Sequence, residues 1–159
     1  MTGNHGDAAP DPAEVLSDVV PRLYRALRAA LDEDPALPSL EQMRVMSRIE
    51  EGIQHASALA AARQMRISAI TPLIAGLEGR GWLTRRTELG DRRRVRLELT
   101  GEGEAALTRA RRRAGDRLRE VLDHGSADSA VDVAAVATWL ADAVSRYDDE
   151  RLGRRAPGR

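Results

Sequence analysis

Arginine carries most of the chemistry open to this sequence. All 25 basic residues are Arg and none is Lys. A guanidinium is a planar fork of donors that grips a phosphate or a guanine edge bidentately, which an ammonium cannot do. Asp91-Arg92-Arg93 sets a carboxylate directly before two guanidinium groups. Arg63, Arg66, Arg85 and Arg86 precede it and are candidate phosphate contacts, which set register and affinity but read no base.

Other chemistries lack their residues. There is no Cys, so disulfides, thiolate metal sites and thiol redox sensing are excluded. His5, His55 and His124 lie too far apart for helical metal-ligand spacing. No paired carboxylates, Ser-His pair or phosphate loop stands in a plausible setting, so neither an enzyme nor a cofactor is expected. No apolar run approaches the ~20 residues of a membrane span, and the polar stretch Met1 to Asp11 is unlike a signal peptide. A cytoplasmic protein is the expectation.

The formal net charge of zero conceals a strong asymmetry. Residues 1–62 hold five Arg against ten acids, residues 63–119 fifteen against seven, and residues 120–159 five against eight. A block of net +8 thus lies between ends of −5 and −3. That is the footprint of a polyanion-binding face, or of an ordinary solvated helical surface.

The elements that must position these arginines follow from periodicity. Val15, Val19, Leu23, Leu27 and Leu31 predict a helix from Pro12, with Pro21 expected to kink or divide it. Ser39 and Gln42 form a capping box ahead of Leu40, Met43, Val45, Met46 and Ile49. Ile53-Gln54-His55 has room for a single strand bridge. A short helix is expected from Ser57 to Gln64, with Leu59 and Ala60 inward. Ile67, Ile70, Leu73, Ile74 and Leu77 predict the next helix, with Ser68 placed to cap it and Gly79-Arg80-Gly81 ending it. The period then changes to two. Trp82–Thr87 and Arg94–Leu99 read as strands around a polar turn, Glu88 to Arg93. Thr100 caps a helix reaching about Leu122, whose Arg109 to Arg119 run is expected to pair with acids more than with a ligand. Gly125-Ser126 breaks it. A last helix is expected from about Asp128 to Arg151, with Val133, Val136, Leu140 and Val144 buried.

Short helices followed directly by a charged β-hairpin give the layout of a winged helix-turn-helix. The fold class expected is mainly α with a small β-hairpin wing. A recognition helix must offer small or polar side chains to a major groove about 12 Å wide. Ser68, Ala69, Thr71 and Ala75 meet that demand, and the Ala methyls suit thymine methyls.

From Ser57 to Gly103 the residues resemble the MarR family of bacterial regulators. The matching features are Leu59-Ala60, Ile67-Ser68, Leu77-Glu78, Gly81, Arg85, Asp91-Arg92-Arg93, Leu99-Thr100 and Gly103. Trp82 stands where the family usually has a smaller aliphatic residue, and His55 where a Thr or Ser cap is common. The resemblance implies that Arg92 or Arg93 enters a minor groove, oriented by Asp91. It implies a homodimer on double-stranded DNA, a pseudo-palindromic operator and usually repression. Val15, Val19, Leu23, Val136, Leu140 and Val144 are then dimer-interface candidates. A small hydrophobic or phenolic effector is also implied, for which Tyr24, Met43, Met46 and Trp82 are pocket candidates, with core packing as the competing reading. The organisation expected is a disordered arm (1–11), an N-terminal dimerisation region (12–36), the winged DNA-binding domain (37–103), C-terminal dimerisation helices (104–151) and a flexible tail (152–159). The competing function is a winged module for protein contacts, against which the Arg-rich hairpin argues.

Overall fold

The structure is a computed structural model describing residues 10–88, 91–125 and 132–153, except for the side chains of residues 88, 91–94 and 151–153. It divides into two compact units, Met1–Asp123 and His124–Arg159.

The first unit opens with α1, Pro12–Asp32. Pro12 needs no N–H partner at a helix start, and the Asp11 carboxylate accepts the Ala13 N–H at 3.0 Å. The helix runs unbroken through Pro21, so the expected division does not occur. One lost backbone bond is tolerated within a helix of 21 residues. Next, α2 spans Leu40–Glu50 behind a complete capping box. The Gln42 N–H donates to Ser39 Oγ at 3.3 Å, and the Ser39 N–H to Gln42 Oε1 at 3.0 Å.

The helix-turn-helix consists of α3, Ala56–Ala62, and α4, Ile67–Gly79. Between them the chain turns at Gln64, in the left-handed region at φ +51°. The expectation that Ser68 caps α4 is corrected. The turn lets helical geometry begin at Ile67, Arg66 is the N-cap residue, and no side chain caps that end. Ser68 stands in the first turn instead.

β1, Leu83–Glu88, and β2, Asp91–Leu99, form an antiparallel hairpin. The second strand starts three residues before the expected Arg94, so Asp91 to Arg93 of the expected turn belong to β2. Leu83, Arg85 and Thr87 pair with Leu99, Leu97 and Val95 on one face, while Thr84 and Arg86 pair with Glu98 and Arg96 on the other. Ile53-Gln54-His55 does not form the strand bridge expected of it; a single backbone bond, the Leu97 N–H donating to Gln54 O at 2.8 Å, joins it to β2.

α5, Gly101–Asp123, is capped by Thr100, whose Oγ1 accepts the Gly103 N–H at 3.0 Å and donates to Gly81 O at 2.7 Å. A Cβ at Gly103 would lie 2.1 Å from the Trp82 carbonyl oxygen, so only glycine lets this helix meet the base of the hairpin. Val45, Met46, Leu59, Ile70, Ile74, Leu77, Trp82, Leu97 and Leu107 are among the residues of one core shared by α2, α3, α4, the hairpin and α5. A second cluster joins Leu31, Leu37, Leu40 and Ala110, with Tyr24, Leu27 and Met43 against it.

The second unit contains α6, Val133–Gly153, started by Asp132, whose carboxylate accepts the Ala135 N–H at 3.0 Å. The expected start at Asp128 lies outside the described residues, as do residues 1–9 and 154–159 of the expected arm and tail. The face expected to be buried is open in this chain. Val133, Val136 and Val144 are exposed, and so are Trp139 and Tyr147.

Candidate nucleic-acid interface

Helical spacing sorts α4 into two faces. Ile70, Ile74 and Leu77 are buried in the core. Ser68, Thr71, Pro72 and Ala75 recur at the same three- and four-residue intervals on the opposite side, and all are exposed. Ala69 is exposed beside them. Ile67, which spacing alone assigns to the core face, is 54% exposed because it sits at the very start of the helix. No charged residue occurs from Ile67 to Leu77. Thr71 Oγ1 donates to Ile67 O at 2.9 Å, so its proton is used within the helix. The Ser68 hydroxyl has no hydrogen-bond partner among the described residues. The outward face of α4 is therefore short, uncharged and largely methyl-bearing, a shape a major groove admits.

The arginines around this helix differ in what they hold. Arg66, directly before α4, is exposed and has no ion pair among the described residues. Arg85 reaches from the hairpin to α4 and engages both oxygens of Glu78, Nε at 2.6 Å and Nη2 at 3.0 Å. That hydrogen bonding raises the Arg85 pKa above its ordinary value. Arg86 pairs with Glu98 at 2.8 Å while its side chain stays 72% exposed. Its neighbour Arg96, missed by the sequence reading because alternation alone does not separate it from Arg94, is exposed with no ion pair among the described residues.

Arg63 departs from the expected set of phosphate contacts. Its side chain is only 8% exposed, and it donates to Glu41 Oε2 at 2.5 Å and Glu41 O at 3.1 Å. Asp91, Arg92 and Arg93 open β2, but their side chains lie outside the described residues.

The four pocket candidates are divided between the two hydrophobic clusters. Met46 and Trp82 are buried in the larger core, and Arg80 Cζ stacks 3.6 Å from the centre of the Trp82 ring. Arg80 also donates to Leu37 O at 2.9 Å and Pro35 O at 2.6 Å, tying the loop after α1 to the end of α4. Tyr24 packs on the smaller cluster, Met43 on both. Tyr24 Oη donates to Glu41 Oε1 at 2.5 Å, and that bond, with burial, raises its pKa.

Of the interface candidates, Val15 and Val19 are exposed on α1, together with Leu16 and Val20, while Leu23 is half-buried. On α6, Val136 and Val144 are exposed and Leu140 is half-buried.

Residues 39–95 match the sequence model of the MarR family. No curated protein sequence matches the chain. Among solved structures, a mutant of MarR from E. coli superposes with a TM-score of 0.71 at 21% identity, covering 87% of this chain and 99% of that one. A MarR-family transcriptional regulator from Rhodococcus sp. RHA1 gives 0.69 at 20% identity, covering 90% and 98%. CouR from Rhodococcus jostii RHA1, solved with p-coumaroyl-CoA bound, gives 0.67 at 21%, covering 90% and 96%. No helix among the described residues is long and apolar enough to cross a membrane. The family match spans the capping box, both short helices and most of the hairpin, and the chain shares the winged-helix fold of these MarR-family structures.

Proposed function

We propose that this protein is a sequence-specific, duplex-DNA-binding repressor of transcription, acting in the cytoplasm without catalysis or cofactor. One observation carries the reading. Within one unit, an uncharged, exposed helix face at Ser68, Thr71, Pro72 and Ala75 is followed by a hairpin whose second strand opens with Asp91 and three consecutive arginines. The helix suits base edges in the major groove, with the Ala69 and Ala75 methyls against thymine methyls. The arginines, with Asp91 orienting one of Arg92 and Arg93, suit the enhanced negative potential of a narrow minor groove. Arg66 supplies a phosphate contact, and Arg85 and Arg86, both largely exposed, do so by exchanging Glu78 and Glu98 for phosphate.

The functional molecule is a homodimer on a pseudo-palindromic operator, its recognition helices about one DNA turn apart. The exposed apolar residues of α1 and α6, Val15, Val19, Val136 and Val144 among them, support a partner chain covering them. A small hydrophobic or phenolic effector releases the DNA, a reading supported by p-coumaroyl-CoA in the similar CouR structure. The coupling it needs is about 1–3 kcal/mol.

Titrating salt while measuring binding to the DNA upstream of its own gene tests the proposal. Affinity should fall steeply and linearly on logarithmic axes as counterions compete for phosphate. Weak binding indifferent to salt would overturn it, and stable capture of a protein partner without DNA retention would favour the competing module.

A further inference from the structure

Glu41 joins three helices through one side chain. Its Oε1 accepts from Tyr24 of α1 at 2.5 Å, and its Oε2 accepts from Arg63, the residue after α3, at 2.5 Å. The same Arg63 donates its other terminal nitrogen to the Glu41 carbonyl at 3.1 Å. Arg63 is followed immediately by Gln64, the left-handed corner that aims α4. One guanidinium thus fastens the corner of the helix-turn-helix to α2 at two points, and one phenol fastens that same carboxylate to α1.

A second contact extends the tie along α4. A Cβ on Gly76 would lie 2.9 Å from Gln42 Nε2, so the side chain of Gln42 rests directly on the later half of α4. Glu41 and Gln42 are adjacent in the first turn of α2. One holds the corner before the recognition helix, and the other abuts that helix near its end. The 8% exposure of the Arg63 side chain leaves it little access to a phosphate.

We propose that Tyr24, Glu41 and Arg63 are positioning residues for DNA recognition, a strut that sets the angle of α4 from α1 without touching DNA. The inference rests on the DNA-binding reading above. A strut of this kind controls how well α4 matches a particular site, whereas a phosphate contact adds affinity for every site alike.

The experiment uses the full-length protein and two probes, a duplex enriched by the wild type from a randomised library and a scrambled duplex of the same composition. The quantity read is the ratio of the two affinities. Partial unfolding cannot move it, because both probes meet the same folded fraction. Tyr24→Phe and Glu41→Gln should each lower the ratio by about five- to tenfold, and Tyr24→Phe should add nothing in a Glu41→Ala background, where the hydroxyl has lost its acceptor. Arg63→Met should lower the ratio while leaving the salt dependence of binding unchanged. An unchanged ratio in Tyr24→Phe overturns the strut. A salt slope reduced by about one in Arg63→Met overturns it too, by making Arg63 a direct phosphate contact. Wild-type protein that retains neither duplex removes the DNA reading itself and the strut with it, a result distinct from the other two.

Discussion

The arginines of α5 and those around α4 and the hairpin look alike in sequence, yet the structure uses them differently. On α5, Arg111 pairs with Glu50 at 2.7 Å, Arg117 with Glu33 at 2.9 Å and Glu120 at 3.0 Å, Arg113 with Glu33, and Arg119 with Asp116. Arg113 Nε also donates to Ala30 O at 3.3 Å. The pairs with Glu33 and Glu50 tie α5 to the ends of α1 and α2, while Arg109 and Arg112 of the same run are exposed with no ion pair among the described residues. Around α4 and the hairpin the pattern is mixed: Arg63 is held by Glu41 and Arg85 by both oxygens of Glu78, whereas Arg66 and Arg96 have no ion pair among the described residues, and Arg86 stays mostly exposed. Charge density therefore does not locate a ligand face. What matters is whether acids of the same fold already occupy the guanidinium groups.

Gly103→Ala should have the largest effect, because it strikes the joint that both regions share. The added methyl would meet the Trp82 backbone, which cannot yield as a side-chain tip would. A loss of about 3 kcal/mol in chemical denaturation is expected, with DNA binding falling in step. Next, Arg93→Ala should weaken DNA binding about tenfold or more with an unchanged melting midpoint. Retained affinity would take the hairpin out of the ligand face and erase the contrast between the regions. Glu33→Gln should do the reverse. It removes the negative charge that faces both Arg113 and Arg117 and leaves one acceptor oxygen for the two, so melting should fall slightly, less so at high salt, while DNA affinity holds.

The smallest effect concerns pH. Burial by itself would raise the Glu41 pKa, but hydrogen bonds from Tyr24 and Arg63, and the charges of Arg63 and Arg44, outweigh it and the pKa is lowered. A carboxylate depressed by folding contributes stability above its unfolded pKa and loses that contribution as pH falls through the folded one. The melting difference between wild type and Glu41→Gln should therefore be constant near neutrality. It should shrink only below the ordinary carboxylate value of 4.5. A difference already shrinking at pH 6 would place the titration elsewhere.

Local signals make most of the fold legible. The Ser39–Gln42 box and the Thr100 cap act within three residues, and the change of period at Trp82 marks the hairpin directly. What is not legible depends on distant partners or on backbone choices without a residue signature. Ser68 resembles a cap because nothing in a glutamine announces the left-handed corner at Gln64. Arg63 resembles a phosphate contact because its acid lies 22 positions earlier in the chain. The apolar stripe of α6 reads as buried, since spacing shows that a face is apolar without showing what covers it. The candidate interface is legible on α4 and less so in its arginines, for the same reason.

The corner at Gln64 has a mechanical consequence. A residue with a Cβ held left-handed costs the fold on the order of 1 kcal/mol. Glycine there would ease that tension and also widen the range of angles open to the bend. The hinge between the two short helices thus behaves as a preloaded spring, trading a little durability for a fixed pitch, and residue 64 is the screw by which an engineer would tune it.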